Sequence, residues 1–189
     1  HPVTGTGKHD VVYNLLGGSP GDLLLPANFL IVEGESERDF LNGVILRFYP
    51  DNPPIQVLAA RGDHDRIAAN MEALNLVFQP LYGNPVHRDK LVVLCDAPSD
   101  EKAESFRVFK ARNPRMVKSG QFVELTVQQI ESYYPDPWRT DDKLKPHQKR
   151  NLAKRAAKEI QQEQFEKEMA LVYQAVKTCW GNAYKVKPE

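Results

Sequence analysis

The chain has 189 residues, 41% hydrophobic and 26% charged, and its 25 basic and 25 acidic side chains leave no net charge. Such proportions exclude a disordered tail or a fibre and describe a soluble globular domain long enough to bury a core. No stretch approaches the roughly 20 apolar residues of a spanning helix and no signal peptide is visible, so no membrane partner is expected.

In chain order, "HPVTGTGKHD" is a polar leader. Its Gly7-Lys8 lacks the upstream glycine and the following Ser/Thr of a phosphate-binding loop. The start at His1 rather than Met suggests a piece of a longer protein. Phe29 to Val32 is a continuous apolar run and predicts a buried strand. From Ser36 the period changes: Phe40, Leu41, Val44, Ile45 and Phe48 recur at helical spacing, with Ser36 as the expected N-cap. Ile55 to Ala60 is the next strand, and Ile67, Ala68, Met71 and Leu74 mark a second amphipathic helix. Lys90 to Asp96 is a third strand, and Cys95 inside it reads as a buried free thiol of a cytoplasmic protein. A partly amphipathic helix follows, then "QFVEL" as a fourth strand and a short helix over "VQQIESYY", stopped by "PDP".

Strands alternating with helices predict an α/β fold with a mostly parallel sheet flanked by helices. The limits are a leader at 1–22, an α/β domain at 23–138 and a basic helical subdomain at 139–189. In the tail, Leu152, Ala153, Ala156, Ala157 and Ile160 form one face and Lys149, Arg150, Lys154, Arg155 and Lys158 another. A second helical run from Phe165 to Trp180 completes an expected hairpin. Residues 1–138 hold 13 Lys/Arg against 18 Asp/Glu, and residues 139–189 hold 12 against 7. An acidic part followed by a basic part suits a cation site beside a polyanion-binding surface, and equally two parts that attract each other.

Ligands of parallel sheets bind beyond the carboxyl ends of the strands, and here Glu33 and Asp96 stand at such ends. The first turn of the following helix can bring Glu37 back towards Glu33, which repulsion disfavours unless a cation lies between them. Gly34 lets backbone or phosphate approach at this turn. Glu35 reads as a solvated helix-start acid. Asp100 and Glu101 sit where a helix dipole alone would explain them. Glu131 is an isolated acid among apolar neighbours, either a ligand or a salt-bridge partner of the basic tail. His64 reads as turn chemistry, His87 and His147 as surface.

The strand followed by "EG", with a later strand ending in Asp, resembles the Toprim fold of topoisomerases, primases and related nucleases. "SPGDLLLPANFLIVEGESERDFL", "VELTVQQIESYYP" and "KRNLAKRAAKEIQQEQFEKE" together resemble the C-terminal nuclease region of OLD-family (overcoming lysogenization defect) proteins, across roughly residues 18–180. That resemblance implies a cytoplasmic phage-defence endonuclease using two Mg²⁺ or Mn²⁺ ions, coupled to an ABC-type ATPase in cis or in trans. It implies metal ligands at Glu33, Glu37, Asp96, Glu124 and Glu131, with Glu33 also catalytic. It also implies a lysine assisting at the phosphate, Lys149 or alternatively Lys145. Pro98 stands where the family's Asp-x-Asp has its second aspartate, which leaves Asp100 to substitute or one metal site weakened. Arg150, Lys154, Arg155 and Lys158 are expected to follow the DNA backbone without reading sequence. The alternatives are a non-cleaving regulatory Toprim domain and a Toprim nuclease acting on RNA. A small-molecule phosphotransferase is disfavoured, since no Gly-rich phosphate loop or positioned His nucleophile is present.

Overall fold

The computed structural model describes residues 28–60, 66–69, 71 and 91–183. The expectations for the leader, His64, Leu74 and His87 fall outside them.

Four strands form one all-parallel sheet in the order β2-β1-β3-β4: β1 (Asn28–Val32), β2 (Ile55–Ala59), β3 (Leu91–Cys95) and β4 (Phe122–Glu124). The central strands β1 and β3 are buried along their whole length. That is why each reads as an uninterrupted apolar run rather than an alternation. Successive side chains point to opposite faces, so the two strands feed two cores. Leu30, Val32, Val92 and Leu94 belong to one; Phe29, Ile31, Leu91, Val93 and Cys95 belong to the other.

Helices flank the sheet among the described residues: α1 (Glu35–Phe48), α2 (Ala103–Arg112), α3 (Pro114–Lys118), α4 (Pro146–Glu159), α5 (Gln162–Lys167) and α6 (Ala170–Ala183), with residues 66–69 and 71 helical as well. Phe106 and Phe109 of α2 and Met116 of α3 cover one face of the sheet, together with Ile67 and Met71. On the other face α6 lies across β1, β3 and β4, and α1 packs on β1 and β2 with α4 against its outer side. The core on this face joins Phe40, Leu41 and Val44 with Ala153, Ala156, Ala157, Phe165 and Val172, and so runs unbroken across position 138/139.

The contact of α1 with α4 depends on small residues. A Cβ added at Gly43 would meet the Cβ of Ala157 at 2.8 Å, and Arg47 donates to the terminal carbonyls of α4, at 3.2 Å to Ala157 and 2.8 Å to Ile160. Gly43→Leu is expected to lower stability by about 2–3 kcal/mol, because a rigid Cβ cannot yield as a flexible side-chain end can. The readout is a lower urea midpoint at unchanged slope.

Three local expectations are corrected. Gly34, not Ser36, occupies the N-cap of α1, and the Ser36 hydroxyl donates to the Glu37 carboxylate at 3.0 Å. Glu35 pairs with Arg38 one turn on instead of facing solvent alone. The tail is three helices rather than a hairpin, since the backbone turns extended at Ile160 and Gln161 and the second arm is split into α5 and α6.

Candidate functional site

The register of the sheet brings the acids together. Val32 lies opposite Ala59, Ile31 opposite Val93, and Cys95 opposite Glu124. Glu33 and Asp96 each follow the last residue of adjacent central strands, and the Asp96 backbone N–H donates to Glu33 Oε1 at 3.1 Å. The first turn of α1 then folds Glu37 back to this edge. A Cβ on Gly34 would lie 2.8 Å from Glu37 Oε2, so the glycine provides the space that carboxylate occupies.

Glu131 comes from a separate segment, a 3-10 turn over Ile130–Tyr133. Its side chain is 1% exposed, and Lys149 from the first turns of α4 donates to its Oε2 at 2.8 Å. The segment after it closes on itself: Thr140 N–H donates to Glu131 O at 3.1 Å and Arg139 Nε to Tyr134 O at 3.0 Å. Glu131 Oε1 and the Tyr134 hydroxyl are both buried with no hydrogen-bond partner.

Electrostatics link these groups into one centre. Burial, with the charges of Glu37, Glu33 and Glu131, pushes the Asp96 carboxyl up to about 8, against a smaller opposing pull from Lys149. Burial also raises Glu37; Glu131 adds to the rise, while the backbone N–H of Glu37, the Ser36 hydroxyl and Lys149 oppose it. Tyr134 is raised far above the usual phenol range by burial and then by Glu131, Glu37 and Asp96. Carboxylates crowded in this way compete for protons unless a cation is shared among them.

The donor chemistry fits a hard divalent cation, which takes carboxylate oxygens and completes its shell with water or phosphate. The spacing is less ready. Among the described residues no three His, Cys, Asp or Glu side chains stand where they could hold a metal ion together. The acids would have to draw in as an ion entered, and the unpartnered Oε1 of Glu131 has a lone pair for that purpose. Gly34→Ala tests the Glu37 position. The backbone at residue 34 is extended and accepts alanine, so the fold is expected to hold while the Glu37 carboxylate is displaced. A shift of about 1 Å can cost on the order of a hundredfold in rate, so under the nuclease reading proposed below the check is unchanged melting beside reduced nicking.

Other expected site residues lie elsewhere. Glu124 ends β4 opposite Cys95 and, with Glu33, Asp96 and Glu37, bears on that buried thiol, but it is held by Lys110, which donates to it at 2.8 Å. Asp100 opens an exposed 3-10 turn. Lys145 caps α4 from an exposed position, so Lys149 is the lysine that reaches the acids. Arg150 and Lys154 both pair with Asp39 of α1, at 2.8 and 3.7 Å, while their side chains stay partly open to solvent. Burial works against the Asp39 carboxylate, yet Arg150, with Lys154 and Arg38, holds it below the usual range. Arg155 and Lys158 remain exposed. Tyr134 and Ser36 went unrecognised in the sequence, where nothing separates them from ordinary core and cap residues.

No family model, no curated protein and no solved structure matches the chain. No helix among the described residues is long and apolar enough to cross a membrane.

Proposed function

We propose that this chain is a Toprim-type nuclease domain that cleaves DNA phosphodiester bonds with Mg²⁺ or Mn²⁺, the ions held by Glu33, Glu37, Asp96 and Glu131. The observation that carries the reading is the convergence of four separate segments on one buried acidic corner with a single lysine. Structural salt bridges need one acid per cation; here Lys149 pairs with Glu131 and also bears on Glu37 and Asp96 through space, an arrangement costly to the fold and typical of functional sites. A bound divalent ion supplies an activated water and stabilises charge on the attacking and leaving oxygens. Glu33 and Asp96 present oxygens from the strand ends, Glu37 and Glu131 close the corner from either side, and Lys149 neutralises phosphate charge. Coupling to an ABC-type ATPase, in cis or in trans, belongs to the same proposal and rests on the sequence resemblance.

Plasmid nicking in Mg²⁺ or Mn²⁺ is the test. Glu33→Ala and Asp96→Ala are each expected to lower the rate at least about a hundredfold, the scale of losing several kcal/mol of charge stabilisation. Cleavage by both variants at the wild-type rate sinks the assignment. One observation favours a second reading, a domain that binds DNA without cutting it: Pro98 holds the position of an acid and Asp100 is exposed rather than replacing it. That reading predicts no nicking by the wild type under any divalent ion.

A further inference from the structure

Beside the acidic corner runs an open groove of about 440 Å³ between the 137–144 segment and α4. Arg139, Thr140, Gln148, Asn151 and Arg155 supply its polar lining over an apolar floor that includes Leu144 and Leu152. No carboxylate is among the described lining residues, and Glu159 accepts from the indole N–H of the lining Trp138 at 3.2 Å. Both of its walls are anchored to the corner. The 137–144 segment is fastened to Glu131 through Thr140, and α4 turns Lys149 inward while Gln148, Leu152 and Arg155 follow one another on the adjoining face. Arg155 is exposed and makes no ion pair among the described residues, unlike Arg150 and Lys154.

Resting on the nuclease reading above, we propose that this groove seats one strand of DNA two to three nucleotides from the bond held at the acidic corner, with Arg155 and Arg139 on its phosphates. The spacing comes from the helix. Six residues separate Lys149 from Arg155, about 9 Å at 1.5 Å per residue, and a strand advances about 3.4 Å per nucleotide. Phosphate charge complements a groove whose described lining carries two guanidinium groups, the nearby Glu159 being engaged by the Trp138 indole, while Gln148 and Asn151 offer neutral amides to sugar and phosphate oxygens. The DNA path therefore leaves the Arg150–Lys154 face and runs along the side of α4 that faces Trp138 to Leu144.

The experiment is fluorescence anisotropy with a labelled single-stranded DNA oligonucleotide in EDTA, at several salt concentrations, each variant checked by thermal melting. Arg155→Ala is expected to weaken binding about tenfold and to flatten the slope of log K against log salt by about 1. Asn151→Asp, which keeps the shape and adds a negative charge, is expected to weaken binding at least as much, and Lys154→Ala to change it less than twofold. Arg139 is left in place because it also holds Tyr134 O. Wild-type affinity and salt slope in both groove variants overturn the proposal, as does a loss at Lys154→Ala equal to that at Arg155→Ala. An RNA oligonucleotide of the same sequence bound more tightly than the DNA overturns the choice of strand. Nicking that depends on Asp96 while the groove variants bind normally removes the groove and keeps the nuclease. Groove-dependent binding with no nicking by the wild type removes the nuclease and keeps the groove as a DNA seat.

Discussion

Asp96→Asn is expected to raise the melting temperature of the metal-free protein at pH 8 while removing its response to Mn²⁺. The folded chain holds the Asp96 proton up to about pH 8, whereas an unfolded aspartate releases it near pH 3.9. A folded pKa raised in this way gives a contribution that is full below about pH 4. It declines by about 1.4 kcal/mol per pH unit as the unfolded chain ionises first, and is gone above about pH 8. Asp96 keeps one side open to water, so the whole loss is on the order of a few kcal/mol. Burial of Glu37 adds to it in the same direction. Asparagine has no proton to lose, so the gap between variant and wild type should widen from pH 5 to pH 8 and close near pH 4. Mn²⁺ at a hundred times its Kd should stabilise the wild type at pH 8 by about 2.7 kcal/mol and the variant hardly at all. Equal melting temperatures for the two proteins at pH 8 would remove Asp96 from the crowded corner.

Lys149→Met is expected to be the most destabilising substitution at the corner, by about 3–5 kcal/mol, the usual cost of stripping one partner from a buried ion pair. Glu131 is 1% exposed, and the same lysine also relieves Glu37 and Asp96, so its loss leaves three acids less compensated. Adding Glu131→Gln should recover most of the lost stability, measured as a double-mutant cycle in urea. Nicking by the double variant, compared with the Glu131→Gln single variant, separates the two roles available to Lys149. Equal rates in the two mark a purely structural lysine, and a further loss in the double variant marks a lysine that meets the phosphate.

All four strands and the long helix after the first of them were legible in sequence because their signals are local. Leu91 to Cys95 and Phe29 to Val32 are apolar without interruption because both faces of a parallel strand are covered. The fourth strand shrinks to Phe122–Glu124 because only those residues pair with β3. Glu33 and Asp96 could be placed at strand ends for the same reason. The partners of charged side chains were not legible. Asp39 takes Arg150 from 111 positions away, and no periodicity in either helix signals it. The amphipathic pattern of α4 identified a basic face and said nothing about whether another helix would cover part of it.

What the chain alone determined, then, is the order of elements, the parallel sheet and the two acids that terminate its central strands, since apolar periodicity and strand ends are properties of neighbouring residues. The tertiary structure decided which acids meet. It gathered Glu37, Glu131 and Lys149 around Asp96, left Glu124 with Lys110 and Asp100 at the surface, and turned Arg155 rather than Arg150 towards an open groove. The reason is that a charge is satisfied through space. Its partner depends on helix packing, and the small residues Gly43 and Ala157 that bring α1 and α4 close carry no charge pattern of their own.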